Sequence, residues 1–245
     1  MTQQLGCPRP GRLRSAYGRF GRPLLMKSVA LVALVPALPL LVLIGLANLL
    51  VFRDPRKVFF RQARVGLHER PFLLVKFRTM WDTDAMPSNW GGDESHRVTP
   101  IGGFLRKSHL DELPQLWNIL RGHMDIVGPR PEMVKAHQWA VARVPGFKAR
   151  LWMRPGITGL AQIRSGYALA EVDAYATKLA DDLEYMARLS LVQDLLLLIK
   201  TPFWMLRLKG WGGHEDERPG LQLGRAIGML LAVSVALALG CQAAV

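Results

Sequence analysis

Residues 28–52 read SVALVALVPALPLLVLIGLANLLVF, and this stretch decides the architecture. The 25 residues between Lys27 and Arg53 carry no charge, which exceeds the ~20 that span a bilayer core as a helix. A cleaved signal peptide fits poorly, because the run is long, no convincing cleavage site follows and basic residues crowd both sides. Arg9, Arg12, Arg14, Arg19, Arg22 and Lys27 precede it; Arg53, Arg56, Lys57, Arg61 and Arg64 follow. Basic flanks favour the cytoplasmic side, so both ends claim the same side of the membrane. Pro36 and Pro39 lie within the run, where proline removes a backbone hydrogen bond and kinks a helix. A broken helix that enters and leaves one leaflet satisfies both flanks. A kinked spanning helix satisfies only one, and on physics alone the two readings weigh about equally.

A second uncharged stretch, 226–245, follows Arg218 and Arg225 and reads as a single span with its C-terminus outside. The chain then divides into a basic tail (1–26), a membrane helix with linker (27–57), a mixed-polarity region (58–210), a linker (211–225) and the C-terminal apolar segment (226–245). Lys and Arg number 32 against 19 Asp and Glu, a net charge of +13, which calls for an anionic partner. Nucleic acid, acidic lipid and a phosphorylated substrate all qualify. An apolar fraction of 50%, with no groove-reading helix or stacking platform, argues against nucleic acid. Cys7 and Cys241, near opposite ends, form neither a metal set nor a disulfide framework, which suits a reducing, cytosol-facing enzyme. The six histidines lack metal-ligand pairing.

Within 58–210, Val58–Gln62 with Arg64–Gly66 predicts a strand, Leu67–Arg70 a turn, and Pro71–Arg78 the returning strand of a basic hairpin. Residues 82–97 read as a polar loop. Leu110, Leu113, Trp117 and Leu120 step by three and four, and Pro114 fits only a first turn, so a helix is expected from about Asp111. There Asp111 is either an N-cap or a reactive carboxylate beside a helix N-terminus that also favours phosphate. Arg106, Arg130 in Gly128-Pro129-Arg130-Pro131, and Arg154 in Arg154-Pro155-Gly156 place guanidinium groups beside restricted turns, a chemistry suited to phosphate oxygens. Val172, Tyr175, Leu179, Leu183 and Met186 mark an amphipathic helix. Leu191–Leu208 is a further helix expected in the membrane interface, with Asp194, Lys200 and Arg207 turned to water.

These residues fall in blocks: Val58–Gly66, Lys76–Met80, Phe104–Lys107, Leu110–Asn118, Leu120–Gly122, Val127–Glu132 and Arg154–Gln162. In this order the chain, over about 27–210, closely resembles the monotopic phosphoglycosyl transferases, also called bacterial sugar transferases. The resemblance implies an α+β, mainly helical fold: a re-entrant membrane helix plus a small cytosolic catalytic domain with a β-hairpin and interfacial amphipathic helices. It implies transfer of a phosphosugar from a UDP-sugar to undecaprenyl phosphate at the cytoplasmic face of a bacterial inner membrane, with release of UMP. By the same resemblance Asp111 is the nucleophile of a covalent aspartyl-phosphosugar intermediate. Glu112 holds magnesium or positions phosphate, and Asp111 or Glu112 ligates the Mg2+. Lys76, Arg78, Arg106, Arg130, Arg154 and Gln162 are the substrate-binding candidates, and Pro36 or Pro39 the helix break. Expected partners are the UDP-sugar, undecaprenyl phosphate, membrane lipid and downstream glycosyltransferases, with no nucleic acid; a homodimer is left open.

The chain departs from the family pattern at four places. No acidic residue follows Lys27 in Lys27-Ser28-Val29-Ala30-Leu31, and Val35-Pro36 and Leu38-Pro39 stand for the usual Ser-Pro. His123 replaces the Asp of the common Arg-Gly-Asp, and Gly103 stands where a basic residue is frequent. None touches Asp111-Glu112, which a catalytically dead scaffold would not need. Asp82-Thr83-Asp84 has the shape of a phosphatase nucleophile motif but lacks the hydrophobic strand that such a motif follows.

Overall fold

The computed structural model describes residues 11–82, 95–165 and 171–206. The apolar segment 226–245 and most of the polar stretch 82–97 lie outside the described residues. Element order is α1 (Arg22–Phe52), β1 (Phe59–Val65), β2 (Pro71–Phe77), α2 (Pro100–Lys107), α3 (Gln115–Leu120), β3 (Asp125–Val127), α4 (Val134–Arg143), β4 (Gly156–Thr158), α5 (Leu160–Ser165), α6 (Val172–Ala187) and α7 (Leu191–Leu206). The fold is mainly helical, with two small two-stranded sheets.

The apolar stretch becomes α1, which follows a single π turn at Tyr17–Gly21 and stays helical through Pro36 and Pro39, so the break expected at one of these prolines does not interrupt the helix. Each proline removes one backbone bond, a loss that packing along the helix offsets. Met26, Ala30, Ala37, Ile44 and Asn48 are buried at steps of four and seven, so one stripe of α1 lies on the domain. The small Ala30 and Ala37 admit α3 and Met124 closely, in a cluster with Leu116 and Ile119. The other face, with Leu31, Val35, Leu38, Val42 and Leu46 exposed, meets no described residue as core. It is the one described helix long and apolar enough to cross a membrane.

Both ends of α1 are tied down. At its start the buried Arg22 donates from Nη1 to Asp125 Oδ2 (2.5 Å) and from Nη2 to the Val127 carbonyl (2.5 Å). Near its end, Asn48 Nδ2 donates to the carbonyls of Val58 (3.1 Å) and Arg78 (2.9 Å). Arg53, in the left-handed region at φ 52°, caps the helix through its N–H to the Leu49 carbonyl.

The hairpin forms as its alternation predicts, antiparallel from Phe59↔Phe77 to Val65↔Pro71. Its turn holds His68 and Glu69 at positive φ (53° and 60°), a twist that matches the strands. Glu69 is clamped by Lys148 Nζ (3.1 Å) and His137 Nε2 (3.2 Å). The second sheet, the parallel pair β3–β4, is too short to show in the sequence. Glycines make it: a Cβ on Gly156 would lie 2.2 Å from the Gly128 nitrogen.

The expected amphipathic helix is α6, with Tyr175, Leu179 and Met186 buried. α7 exposes Leu191, Val192, Leu195, Leu196, Ile199 and Phe203. One expectation for it is corrected. Asp194 does not turn to water but is fully buried, accepting from Tyr17 Oη (2.6 Å) and Tyr185 Oη (2.5 Å), with Arg22 Nε 3.4 Å away. A carboxylate in an apolar helix gains more from these partners than from reaching solvent past its neighbours. This cluster joins the start of α1 to α6 and α7.

Candidate active site

One apolar cluster delivers the charged groups. Ile44, Val58, Phe77 and Leu105 form it, with Leu110 and Leu113 packed against it. Several members have charged neighbours in sequence: Lys76 beside Phe77, Arg106 beside Leu105, and Asp111-Glu112 between Leu110 and Leu113. Burying the apolar members therefore turns the charged ones to a common side.

The expected helix start is corrected. Leu110–Glu112 is a single 3-10 turn, and α3 begins only at Gln115, capped by Pro114 without a side-chain bond. Pro114 thus precedes the α-helix, and Asp111 is not its N-cap. With only six residues, α3 offers no N-terminal phosphate site of the kind expected. The turn is set by His109, buried and at φ 57°, a left-handed residue that ends the excursion from α2.

Asp111 is 6% exposed. Burial, then the neighbouring Glu112 charge, pushes its carboxyl up to about 6, against the pull of Lys76, Arg106 and Arg130. Glu112 moves the other way: burial opposes its ionisation, but the Arg130 charge and its hydrogen bond (Nη2 to Oε1, 3.0 Å) outweigh it. Burial pushes the Lys76 amine down, Asp111 holding it up in part, while the amine lies 5.5 Å from the Phe60 ring centre. The pair is thus one stabilised carboxylate and one held ready in a cationic surround.

Of the six substrate-binding candidates, Lys76, Arg106 and Arg130 gather about Asp111 and Glu112. Arg78 shares the Phe60 ring with Lys76 but is engaged by other partners: it pairs with Asp82, donates from Nε to the Lys57 carbonyl (3.1 Å) and lies over the ring of Phe52 as well. Arg154 acts on the buried Asp125. Gln162, also buried, donates from Nε2 to the Gly128 carbonyl (3.3 Å), behind the Gly-Pro-Arg-Pro turn.

Sequence reasoning did not single out Arg64. It donates to the Pro131 carbonyl (3.1 Å) and to Gln62 Oε1 (2.6 Å), and burial with the nearby Arg130 charge lowers its guanidinium to about 10. Strand alternation is the signal that finds it, because Arg64 shares a face with Phe60, the partner of Lys76. Nor did the sequence show what holds Arg130 in place. Val65 N donates to the Glu132 carbonyl (3.0 Å), and Gly156 N donates to the Pro129 carbonyl (2.9 Å). Below them the Glu132 carboxylate accepts from Lys178 Nζ (2.5 Å) and Arg150 Nη1 (3.2 Å), and Arg150 also grips Asp182 (2.7 Å). Arg130 is therefore presented to Glu112 by a frame fixed on three sides.

Such a constellation suits group transfer through phosphorus: a buried carboxylate able to attack, and several cations to hold phosphate oxygens. Residues 19–208 match the family described as bacterial sugar transferase. The chain is 41% identical over 179 residues to the UDP-glucose:undecaprenyl-phosphate glucose-1-phosphate transferase of Caulobacter vibrioides, covering 71% of this chain and 66% of that one. It is 36% identical to the UDP-N-acetylgalactosamine-undecaprenyl-phosphate N-acetylgalactosaminephosphotransferase of Aeromonas hydrophila, across 71% of this chain and 42% of that one. An exopolysaccharide production protein of Sinorhizobium fredii is 36% identical over 189 residues, 71% of this chain and 80% of its own. The matched part thus spans less than two thirds of the first two relatives.

Proposed function

The chain belongs to the bacterial sugar transferase family, and from that premise we propose that it moves a sugar phosphate from a UDP-sugar to undecaprenyl phosphate. The observation that carries this reading is the buried Asp111 beside the half-buried Glu112, the pair acted on by Lys76, Arg106 and Arg130. An ionised Asp111 oxygen attacks the phosphorus that bears the sugar. Its bond to the bridging oxygen breaks, UMP departs with that electron pair, and the phosphosugar remains as an acyl phosphate ester on Asp111. An oxygen of the lipid phosphate then attacks the same phosphorus, and the aspartyl oxygen leaves as carboxylate. The product is a polyprenyl diphosphate sugar, the starting lipid for exopolysaccharide or a related glycoconjugate.

Arg130, held by its frame, keeps Glu112 ionised and offers further donors to the diphosphate. Lys76 and Arg106 lower the repulsion between Asp111 and the incoming phosphates. The donor set fits magnesium. Among the described residues no three His, Cys, Asp or Glu side chains cluster, and Mg2+ characteristically takes one or two carboxylates together with substrate phosphates and water. Asp111 and Glu112 would hold it, and it would supply charge neutralisation at the diphosphate. The test is UMP release from a panel of UDP-sugars with undecaprenyl phosphate. Release with one sugar, lost on chelation and restored by magnesium, is the expected result; no release with any member overturns the reading.

For the membrane, the proposal is re-entry of α1 from the cytoplasmic face of the inner membrane. Its support is that Arg22 and Asn48, near opposite ends of α1, are bonded to the same domain. A helix crossing the bilayer would carry one of those ends to the far side. In a background with Cys7 and Cys241 replaced by Ser, Phe20→Cys and Arg56→Cys are expected to react with an impermeant thiol reagent from the same, cytoplasmic side. Labelling from opposite sides would mean a spanning helix.

A further inference from the structure

The corner where α1 begins against α7 carries features that phosphosugar transfer does not use. Two clefts open there and meet at Ser190. One, of about 570 Å³, is lined by Arg12, Ser15, Tyr17 and Leu189 to Leu191. The other, of about 370 Å³, has Leu160, Val192 and Leu196 along its apolar side, with Arg164, Arg188 and Lys200 as its cations. Arg164 is committed to Asp181 and Glu184 (2.7 and 2.6 Å). Arg188 touches Glu184 at 3.0 Å yet is 73% exposed. Lys200, like Arg12, Arg14 and Arg19 beyond Ser190, is exposed and makes no ion pair among the described residues.

Beside these cations run two apolar stripes, Phe20 and Leu24 where the π turn leads into α1 and Val192, Leu195 and Ile199 on α7. The Asp194 cluster with Tyr17, Arg22 and Tyr185 fixes the two stripes to each other. Cations at the rim of clefts with adjoining apolar rows match one chemistry, a phosphodiester headgroup whose acyl chains continue along the helices. Neither cleft is lined by Lys76, Arg106, Asp111, Glu112 or Arg130. We propose that this corner is a binding site for an anionic phospholipid, separate from the site that takes the lipid substrate, with Arg188 and Lys200 on its headgroup. The inference rests on the placement of α1 and α7 at the membrane but not on the transfer reaction.

The test uses the full chain in a neutral detergent, with thermal unfolding followed during titration of short-chain phosphatidylglycerol. A saturable rise in the midpoint is expected, absent with phosphatidylcholine of equal chain length and with inorganic phosphate. Arg188→Gln with Lys200→Gln is expected to weaken the apparent affinity roughly tenfold or more, from about a factor of five per basic residue. Lys135→Gln with Arg143→Gln on α4 removes the same charge elsewhere and should leave the response intact. An equal rise with phosphatidylcholine, equal weakening in both double variants, or a response to undecaprenyl phosphate alone would each overturn the proposal. The readout involves no nucleotide sugar, so its failure is distinct from failure of the transferase reading.

Discussion

Asp111→Asn is expected to lower turnover by about 10⁴-fold or more while the chain stays folded and membrane-bound. The amide keeps the size of the carboxylate but has no anionic oxygen to attack phosphorus. Loss of fold should not confound the result. Burial and Glu112 hold the Asp111 carboxyl up at about 6, so its ionised form at neutral pH is carried by the fold at a cost. A neutral amide leaves stability unchanged or raises it. Steady-state UMP release and a thermal melt on the same sample check both halves. Turnover near wild type sinks the assignment of Asp111 as nucleophile, whereas loss of turnover with a collapsed melt would make Asp111 a structural residue.

The second large effect concerns a residue far from the chemistry. Arg150→Met is expected to cost about 3–5 kcal/mol, the range for removing one partner of a buried ion pair. Arg150 has no exposed surface and serves two carboxylates, Asp182 and Glu132. Methionine keeps the packing over the Phe147 ring, 4.9 Å from the guanidinium, but leaves Asp182 without its cation. Against a total stability of about 5–15 kcal/mol, such a loss is severe. Adding Asp182→Leu should recover much of it, because the cost lies in the stranded charge. Denaturant unfolding of the three proteins tests this, and a loss below about 1 kcal/mol for the single variant contradicts it.

The same cluster, with Lys178 as its fourth member, sets a pH dependence. Burial alone would raise the Glu132 carboxyl, but Lys178 and Arg150 outweigh it and bring it down to about 2. A depressed folded-state value means the stabilisation is present above the ordinary value near 4.5 and is lost as pH falls towards 2.

How much of this was legible before the structure follows from the range of each interaction. The hairpin could be read because its strands and turn are local, and it formed over nearly the expected residues. α6 could be read for the same reason, from apolar steps of three and four. A helix start at Asp111 is four residues early because Pro114 reads as first-turn, whereas it sits just outside α3. The sequence turns Asp194 to water because two of its three partners, Tyr17 and Arg22, lie more than 170 residues away in the chain. Strands of three residues, Asp125–Val127 and Gly156–Thr158, leave no period to detect. In the site itself, Lys76, Arg106 and Arg130 were found through their motif blocks. Their convergence on Asp111 depends on the cluster of Phe77, Leu105, Leu110 and Leu113, which only the folded chain assembles.

The central claim is that Asp111 takes the phosphosugar from the nucleotide. Its most direct test is the first half-reaction, run on the full chain with magnesium and the accepted UDP-sugar but no lipid acceptor, followed by intact-protein mass measurement and quantification of UMP. The account predicts one UMP per enzyme, a protein heavier by one phosphosugar, and disappearance of that adduct when undecaprenyl phosphate is added or Asp111 is replaced by Asn. UMP formed only after the lipid is added, with no adduct at any time, would contradict it and point to direct transfer between the two substrates.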